Sequence, residues 1–250
     1  MKTKLINENF KKDYVNQLLR SRGIENPIAY YEPGPEYLQN HSDMENMGQG
    51  AMLLEEVIRL GEKILLVVDS DNDGFTSATI MYNYLKDLAP ELEIDYVLHE
   101  GKQHGLQDHI HKLMEQDYKY DLIILPDSSS NDAHYHDMLE EIKTPCLILD
   151  HHLTDVKLSY NAIVINNQLS PDYTNKELTG AGVVYQFCRY IDSLTGNNWA
   201  NDYMDLAAWG IIGDMGSVLD MENRYLIVEG LKDENIKNIF FKELLMKQAY

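Results

Sequence analysis

Cysteine and long hydrophobic runs are scarce in this sequence. Its 250 residues include two cysteines, Cys146 in an apolar run and Cys188 in a helix-like one, which excludes a disulfide-rich secreted scaffold and predicts buried thiols in a reducing compartment. The longest apolar runs have the length of a strand, whereas a membrane-spanning helix needs about 20 apolar residues. The first ten residues, MKTKLINENF, lack the apolar stretch of a signal peptide. We therefore expect a cytoplasmic protein with no membrane partner.

Positive charge is also scarce. The 21 basic residues include five arginines, and 41 acidic residues bring the formal net charge to -20. This balance excludes a protein that coats nucleic acid without sequence specificity, because such a protein would be basic. Excess carboxylates suit a protein that gathers cations. Binding of a polyanion would require bound metal and a local basic patch, because the global charge is repulsive.

No internal repeat and no Pro- or Gly-rich linker divides the chain, and its length allows one large domain with a substantial core. Short β-branched apolar runs predict five strands, at 63–68, 94–98, 122–125, 146–149 and 162–165. Helical patterns lie between and after them, at 10–20, 51–60, 77–88, 106–116, 132–142, 181–193, 201–212, 222–230 and 236–247. The alternation predicts an α/β fold with a parallel five-stranded sheet flanked by helices and a helical C-terminal portion. We expect a single domain over 1–250, with an N-terminal helical segment (1–60), a sheet core (61–167) and the helical portion (178–250).

Acidic residues and histidines follow three of the predicted strands. The stretch VVDSDNDG places Asp69, Asp71 and Asp73 after the first strand, Asp127 follows the third, and Asp150, His151 and His152 follow the fourth. Each motif alone has an ordinary explanation, such as an Asx-type cap or a solvated turn. However, the carboxyl ends of parallel strands meet at one edge of the sheet, where ligands bind. We therefore expect these side chains to converge.

Convergent Asp and His side chains predict a divalent metal site. Like charges this close repel one another unless a cation lies among them. Mixed oxygen and nitrogen donors suit Mn²⁺, Mg²⁺ or Zn²⁺ better than Ca²⁺. The number of donors exceeds what one ion requires, so we expect two ions, an arrangement suited to phosphoester hydrolysis.

Four motifs, in order, resemble those of the DHH phosphoesterase family and within it the RecJ-type single-strand exonucleases. They are DSDNDG at 69–74, the aspartate of PDSSS at 127, Asp150-His151-His152, and Asp214 in GIIGDMGSVLD. Two further stretches, LTGAGVVYQF at 178–187 and ENRYLIVEGL at 222–231, are similar to non-catalytic signatures of that branch. The resemblance covers nearly the whole chain.

The resemblance implies a DHH-type α/β/α domain with a catalytic centre holding two Mn²⁺ or Mg²⁺ ions. Its main metal ligands would be Asp71, Asp73, Asp127, His151 and Asp214. Asp69 and Asp150 would be ligands or would orient ligands, and His152 would be a ligand or act on the scissile phosphate.

The chain departs from the family pattern at three places. Val67 occupies a position where the branches for small substrates carry a histidine, which favours the RecJ branch. His99 and His104, in HEGKQHGL, stand where RecJ-type proteins have an arginine and a tyrosine, so His104 is a candidate substrate-binding residue. The family's usual second domain, which faces the metal site, has no counterpart before Tyr250. We therefore expect either a fragment that lacks this domain, or a compact relative that works alone or with a partner protein that supplies the missing surface.

Three hypotheses for function remain open. The first is a RecJ-like 5′-to-3′ exonuclease that releases nucleoside 5′-monophosphates from single-stranded DNA by two-metal hydrolysis, in DNA repair or recombination. The second is a phosphodiesterase for short oligonucleotides, cyclic dinucleotides or pyrophosphate. The third is a non-catalytic replication scaffold, although the intact motifs argue against it.

The paired histidines His109/His111 and His134/His136 are interpreted as surface residues, and Ser128, Ser129 and Ser130 as helix-capping or hydrogen-bonding residues.

Overall fold

The computed structural model describes residues 13–99, 104–115 and 119–247. Five parallel strands form one sheet in the order β2-β1-β3-β4-β5. Their bounds are β1 Ile64–Val68, β2 Ile94–Leu98, β3 Leu122–Pro126, β4 Cys146–Asp150 and β5 Ala162–Asn166. The α/β prediction is confirmed, and each strand boundary lies within one residue of its predicted position.

Strand burial follows position in the sheet. The central strands β1, β3 and β4 are buried along their whole length, which explains their unbroken apolar sequences. Strand β2 lies at one edge and is half-exposed. From β1 the chain passes to β2 on one side and later to β3 on the other. The carboxyl ends of β1 and β3 therefore border the switch point where open parallel sheets bind ligands.

Helices surround the sheet and form the C-terminal portion. Their bounds are α1 Tyr14–Ser21, α2 Pro27–Tyr31, α3 Met47–Leu60, α4 Asn72–Leu88, α5 Ile110–Leu113, α6 Ala133–Glu140, α7 Gly180–Thr195, α8 Met204–Gly213, α9 Met221–Gly230 and α10 Ile239–Lys247. Short 3₁₀ helices occupy Pro35–Tyr37, His41–Asp43 and Trp199–Tyr203. Within the described residues, no helix combines the length and the apolar character needed to cross a membrane.

Alternate strand residues supply two cores, because successive side chains of a strand point to opposite faces. Leu66, Ile124 and Leu147 belong to the larger core, which includes α3, α4, α7 and α8. Leu65, Ile123 and Ile148 belong to the smaller one, under α5 and α6. Both faces of the sheet are thus covered, as the alternating sequence pattern predicts.

Several predicted helix boundaries are wrong. Helix α4 begins at Asn72, not 77, because Asp71 caps it by accepting a hydrogen bond from the Gly74 backbone N–H. The predicted helix over 106–116 shortens to α5, and the one over 201–212 begins as a 3₁₀ turn. Residues 10–12 of the first predicted helix, and residue 116, lie outside the described residues.

One histidine assignment is also wrong. His136 is 1% exposed, and its Nε2 lies 3.2 Å from Ser129 Oγ, so it is not a surface residue. The hydroxyl that reaches it comes from the serine run, which favours a structural role for that run.

Candidate metal centre

The strand-end motifs meet at one edge of the sheet. Asp69 follows β1, Asp127 follows β3, and Asp150 ends β4. Early helix formation moves Asp73 into the first turn of α4, where its side chain is 1% exposed. Asp214 comes from the other direction, as the residue that caps the end of α8. The structure therefore brings the four motifs to one place, as predicted.

The N-terminus of α7 holds the Asp73 carboxylate. Its Oδ1 accepts hydrogen bonds from the Thr179 hydroxyl (2.9 Å) and the Ala181 backbone N–H (3.1 Å), and its Oδ2 accepts one from the Gly180 backbone N–H (2.6 Å). Unpaired N–H groups and the helix dipole make a helix N-terminus a favourable place for negative charge. Asp73 is thus fixed in orientation before any cation binds.

Glycines allow the helices to approach these carboxylates closely. A Cβ added at Gly180 would lie 2.2 Å from Asp127 Oδ1, and one at Gly210 would lie 2.4 Å from Asp73 Oδ1. No side chain larger than hydrogen fits at either position without displacing a carboxylate. Gly180, the first glycine of LTGAG, therefore makes room for the Asp127 carboxylate.

Asp127 combines an unusual backbone conformation with a buried side chain. Its backbone adopts φ 66°, a left-handed conformation that is uncommon outside glycine and often marks functional sites. Its side chain is buried, and its Oδ1 receives no hydrogen bond from the described residues, although His151 Nε2 lies 3.2 Å away. Burial and the neighbouring Asp73 raise the pKa of Asp127 well above its usual value. Burial likewise raises the pKa of Asp73.

Asp150 organises the loop that carries the two histidines. It is fully buried, and its Oδ1 accepts hydrogen bonds from the backbone N–H of His151 (2.7 Å) and of His152 (3.2 Å) and contacts His152 Nδ1 at 2.7 Å. Its Oδ2 accepts one from the Ser130 backbone N–H (2.9 Å). Burial alone would raise the pKa of Asp150, but the contacts with His152 and Ser130 outweigh it and lower that pKa. The hydrogen bond with Asp150 in turn raises the pKa of His152 to about 9.

Asp69 pairs with a histidine in a similar way. His104 Nδ1 lies 2.8 Å from Asp69 Oδ1 and 2.7 Å from its Oδ2, and the His104 side chain is 59% exposed. His104 therefore lies beside the cluster, held by a carboxylate. Asp71 is exposed and caps α4 with one oxygen.

Candidate donor atoms form overlapping groups, each within 4.8 Å internally. They are Asp73/His151/Asp214, Asp69/Asp71/Asp127 and Asp127/Asp150/His151/His152. Nε2 of His151 lies 3.9 Å from Asp73 Oδ2, 3.8 Å from Asp214 Oδ2 and 3.2 Å from Asp127 Oδ1. Asp127 thus adjoins every donor group.

The donor set fits divalent cations. It joins carboxylate oxygens to imidazole nitrogen, which suits Mn²⁺ and Mg²⁺ among hard and borderline ions. The buried Asp127 oxygen without a hydrogen-bond donor and the two adjoining buried carboxylates are destabilising in the metal-free protein. A cation between them would satisfy the free oxygen and reverse the repulsion.

Sequence reasoning misses several residues that position the site. Thr179 falls in a stretch interpreted as a non-catalytic signature, yet it holds Asp73. Asn166, at the end of β5, donates to Ser130 Oγ and to the His152 carbonyl, both at 2.9 Å. Asn166 directly follows the apolar run of a predicted strand, so the strand-end rule could have identified it. No local signal identifies Thr179.

Comparison with known proteins places the chain in a family. The family model described as "DHH family, N-terminal domain" matches residues 63–211, which include every strand and most of the cluster. The chain belongs to the DHH family. The resemblance inferred from the four motifs is confirmed.

Relatives and solved structures agree with this assignment. YorK of Bacillus subtilis (strain 168), provisionally named as an SPbeta prophage-derived single-strand DNA-specific exonuclease, is 36% identical over 251 residues, covering 100% of this chain and 42% of YorK. A crystal structure of exonuclease RecJ bound to manganese superposes with TM-score 0.68 at 27% identity, covering 78% of this chain and 48% of that one. RecJ of Thermus thermophilus in complex with Mn²⁺ gives TM-score 0.70 at 26% identity, covering 85% and 30%. The chain thus spans less than half the length of these proteins.

Proposed function

We propose that this DHH domain is a metal-dependent phosphodiesterase that hydrolyses single-stranded DNA from the 5′ end and releases nucleoside 5′-monophosphates. The observation that carries the proposal is the position of Asp127, whose buried oxygen without a hydrogen-bond donor adjoins all the donor groups. The single-stranded DNA substrate follows from the likeness to YorK and to manganese-bound exonuclease RecJ. The 5′ polarity and the 5′-monophosphate products are what the resemblance to RecJ-type exonucleases implies.

The cluster would hold two Mn²⁺ or Mg²⁺ ions. Candidate ligands are Asp71, Asp73, Asp127, His151 and Asp214, with Asp69 and Asp150 as ligands or orienting groups. When bound, such ions offset charge on the phosphate oxygens and activate water as the nucleophile. The chain's own contribution is orientation, because the N-terminus of α7 fixes Asp73 and the Ser130 backbone fixes Asp150.

His152 and His104 would contact substrate instead of forming the core of the cluster. Each imidazole is held at Nδ1 by a buried aspartate, and each side chain is more than half exposed. Fixed, accessible rings of this kind suit contacts with the scissile phosphate and its neighbours. The second domain or partner protein expected from the sequence would supply further DNA contacts, since this chain carries a net charge of -20.

The test is release of nucleotide from a single-stranded oligonucleotide in Mn²⁺, with 5′- and 3′-labelled versions to define polarity. Asp127→Ala should abolish release, whereas Asp233→Ala, which removes an exposed carboxylate outside every donor group, should retain it. Hydrolysis of a cyclic dinucleotide or pyrophosphate, but not of DNA, would replace the proposal with the small-substrate alternative. A chain that binds no Mn²⁺ would support the scaffold alternative.

A further inference from the structure

An apolar groove opens between α4 and the edge strand β2. Its floor is Leu66 and Val68 of β1, and its walls are Phe75 and Tyr82 of α4 and Tyr96 and Leu98 of β2. Its volume is about 300 Å³, at the lower end of the range for small-molecule sites. The groove exists because β2 is an edge strand, and its outer residues have less cover than those of β1.

The aromatic rings of this groove are available for stacking. Phe75 is 48% exposed and Tyr96 is 61% exposed. In the part of the chain that the structure describes, neither ring, nor that of Tyr82, stacks on another aromatic ring. The exposed parts of Phe75 and Tyr96 are therefore accessible to a planar ligand, whereas Tyr82 packs against the core.

The groove adjoins the candidate metal centre. Val68 directly precedes Asp69, and Phe75 lies in the same helical turn as Asp73. Val68 and Leu98 end their strands, so the groove opens at the sheet edge where the carboxylates meet. A ligand with its phosphate at the metal centre would have its neighbouring parts within reach of the groove.

Charge favours one kind of occupant. None of the lining side chains is ionisable at neutral pH, in a protein with 41 acidic residues. An anionic chain is repelled by most of this surface, so the contacts that favour its binding away from the metals must come from uncharged parts. Planar bases stacking on aromatic rings provide such contacts for any sequence.

We propose that this groove binds a nucleobase of the substrate, that of a nucleotide whose own phosphate lies at the metal centre. Phe75 and Tyr96 form the stacking platform. The inference rests on the proposed function for the presence of a nucleotide, and it adds a base-binding site on the DHH domain itself. Such a site recognises single strands, because bases in a duplex are already stacked.

The first experiment measures base stacking without hydrolysis. A deoxynucleoside 5′-monophosphate carrying 2-aminopurine is titrated with the protein in Mg²⁺, since stacking on an aromatic ring quenches its fluorescence. Phe75→Ala and Tyr96→Ala should weaken binding about 5- to 150-fold, the range for losing one stacked base, whereas Tyr96→Phe should retain it. Tyr160→Ala removes a 94% exposed tyrosine outside the groove and is the matched control.

The second experiment uses oligonucleotides with one abasic position moved along the strand. In the wild type, removing the base at one position near the cleaved bond should raise KM. Phe75→Ala should raise KM for the intact strand. In this variant, removing the same base should cause no further rise in KM. Equal KM values for wild type and both alanine variants, with unchanged quenching, would overturn the base site while leaving the hydrolase intact. If the wild type quenches 2-aminopurine, Phe75→Ala does not, and no strand is hydrolysed, the proposed function would be contradicted while the base site would stand.

Discussion

At the scale of single residues, the site is built around a conflict between two buried carboxylates. The Asp73 carboxylate accepts three hydrogen bonds at the N-terminus of α7, whereas Asp127 Oδ1 receives none from the described residues. The pKa of each is raised by burial, and that of Asp127 also by Asp73. When the pKa of a carboxyl is higher in the folded than in the unfolded protein, stability is lost as pH rises from the unfolded-state pKa to the folded-state pKa. The metal-free protein should therefore become less stable as pH rises over this interval.

Asp127→Asn should therefore stabilise the metal-free protein and abolish stabilisation by metal. The amide keeps the shape but removes one buried charge, so we expect a gain of about 1 kcal/mol or more, or about 2–4 °C in Tm, at neutral pH. The difference from wild type should be small near pH 3, where the carboxyl is protonated in the folded state and largely so in the unfolded state, and should grow as pH rises. Thermal unfolding in EDTA and in Mn²⁺ measures both effects. Equal stabilisation of the wild type and Asp127→Asn by Mn²⁺ would show that Asp127 is not a metal ligand.

Thr179→Val tests a residue that holds the proposed metal ligand Asp73 without being a ligand itself. The variant keeps the shape of the side chain and removes the 2.9 Å hydrogen bond to Asp73. Loss of such an orienting contact typically weakens metal binding by about 10- to 100-fold. Mn²⁺ titration should show this loss, whereas Thr195→Val, at the other end of α7 where the hydroxyl bonds the Ile191 carbonyl, should bind as wild type does. Equal affinities in the two variants would mean that backbone N–H groups alone orient Asp73.

At the scale of elements, the site depends on how closely α7 approaches the end of β3. Glycine at the first position of α7 leaves room for Asp127, and its backbone N–H binds Asp73. Helix α7 thus brings a positive dipole end and a close-packed surface to the same two carboxylates.

Gly180→Ala should disrupt this contact. The new methyl group would lie 2.2 Å from Asp127 Oδ1 and 2.5 Å from its Cβ, so helix or carboxylate must move. A displacement of this size at a catalytic cluster lowers activity by about 10²-fold. Gly48→Ala in α3, whose new Cβ meets only the Tyr190 hydroxyl at 3.3 Å, is the matched control. Nucleotide release and circular dichroism together measure the effect, and full activity in a folded Gly180→Ala would contradict it.

The elements also explain which features the sequence could predict. The strands are predictable within one residue because most of their apolar runs end sharply at Asp, Asn or Pro. The start of α4 is not, because NDG resembles a loop, whereas the Asp71 cap makes it helical. Thr179 and Asp73 are 106 positions apart, and such a contact depends on how α7 docks against α4, which no local pattern encodes.

At the scale of the whole molecule, charge opposes the proposed substrate. A net charge of -20 repels an oligonucleotide over a distance set by ionic strength. The screening length falls from about 30 Å at 0.01 M salt to about 10 Å at 0.1 M. Most nucleic-acid-binding proteins lose affinity over this range because they release counterions. This chain has 21 basic side chains to bind phosphates but 41 acidic ones that repel them. Added salt should therefore weaken mainly the repulsion.

We therefore expect the opposite dependence on salt here. With Mn²⁺ kept saturating, the KM for single-stranded DNA should fall as monovalent salt rises from about 0.01 to 0.1 M, because long-range repulsion is screened while metal contacts and base stacking persist. A dinucleotide, which carries fewer charges, should show a weaker change of the same sign. Steady-state kinetics on both substrates measures this. A KM that rises steeply with salt would instead reveal a basic surface strong enough to dominate the net charge, and would show that local arrangement outweighs composition in this protein.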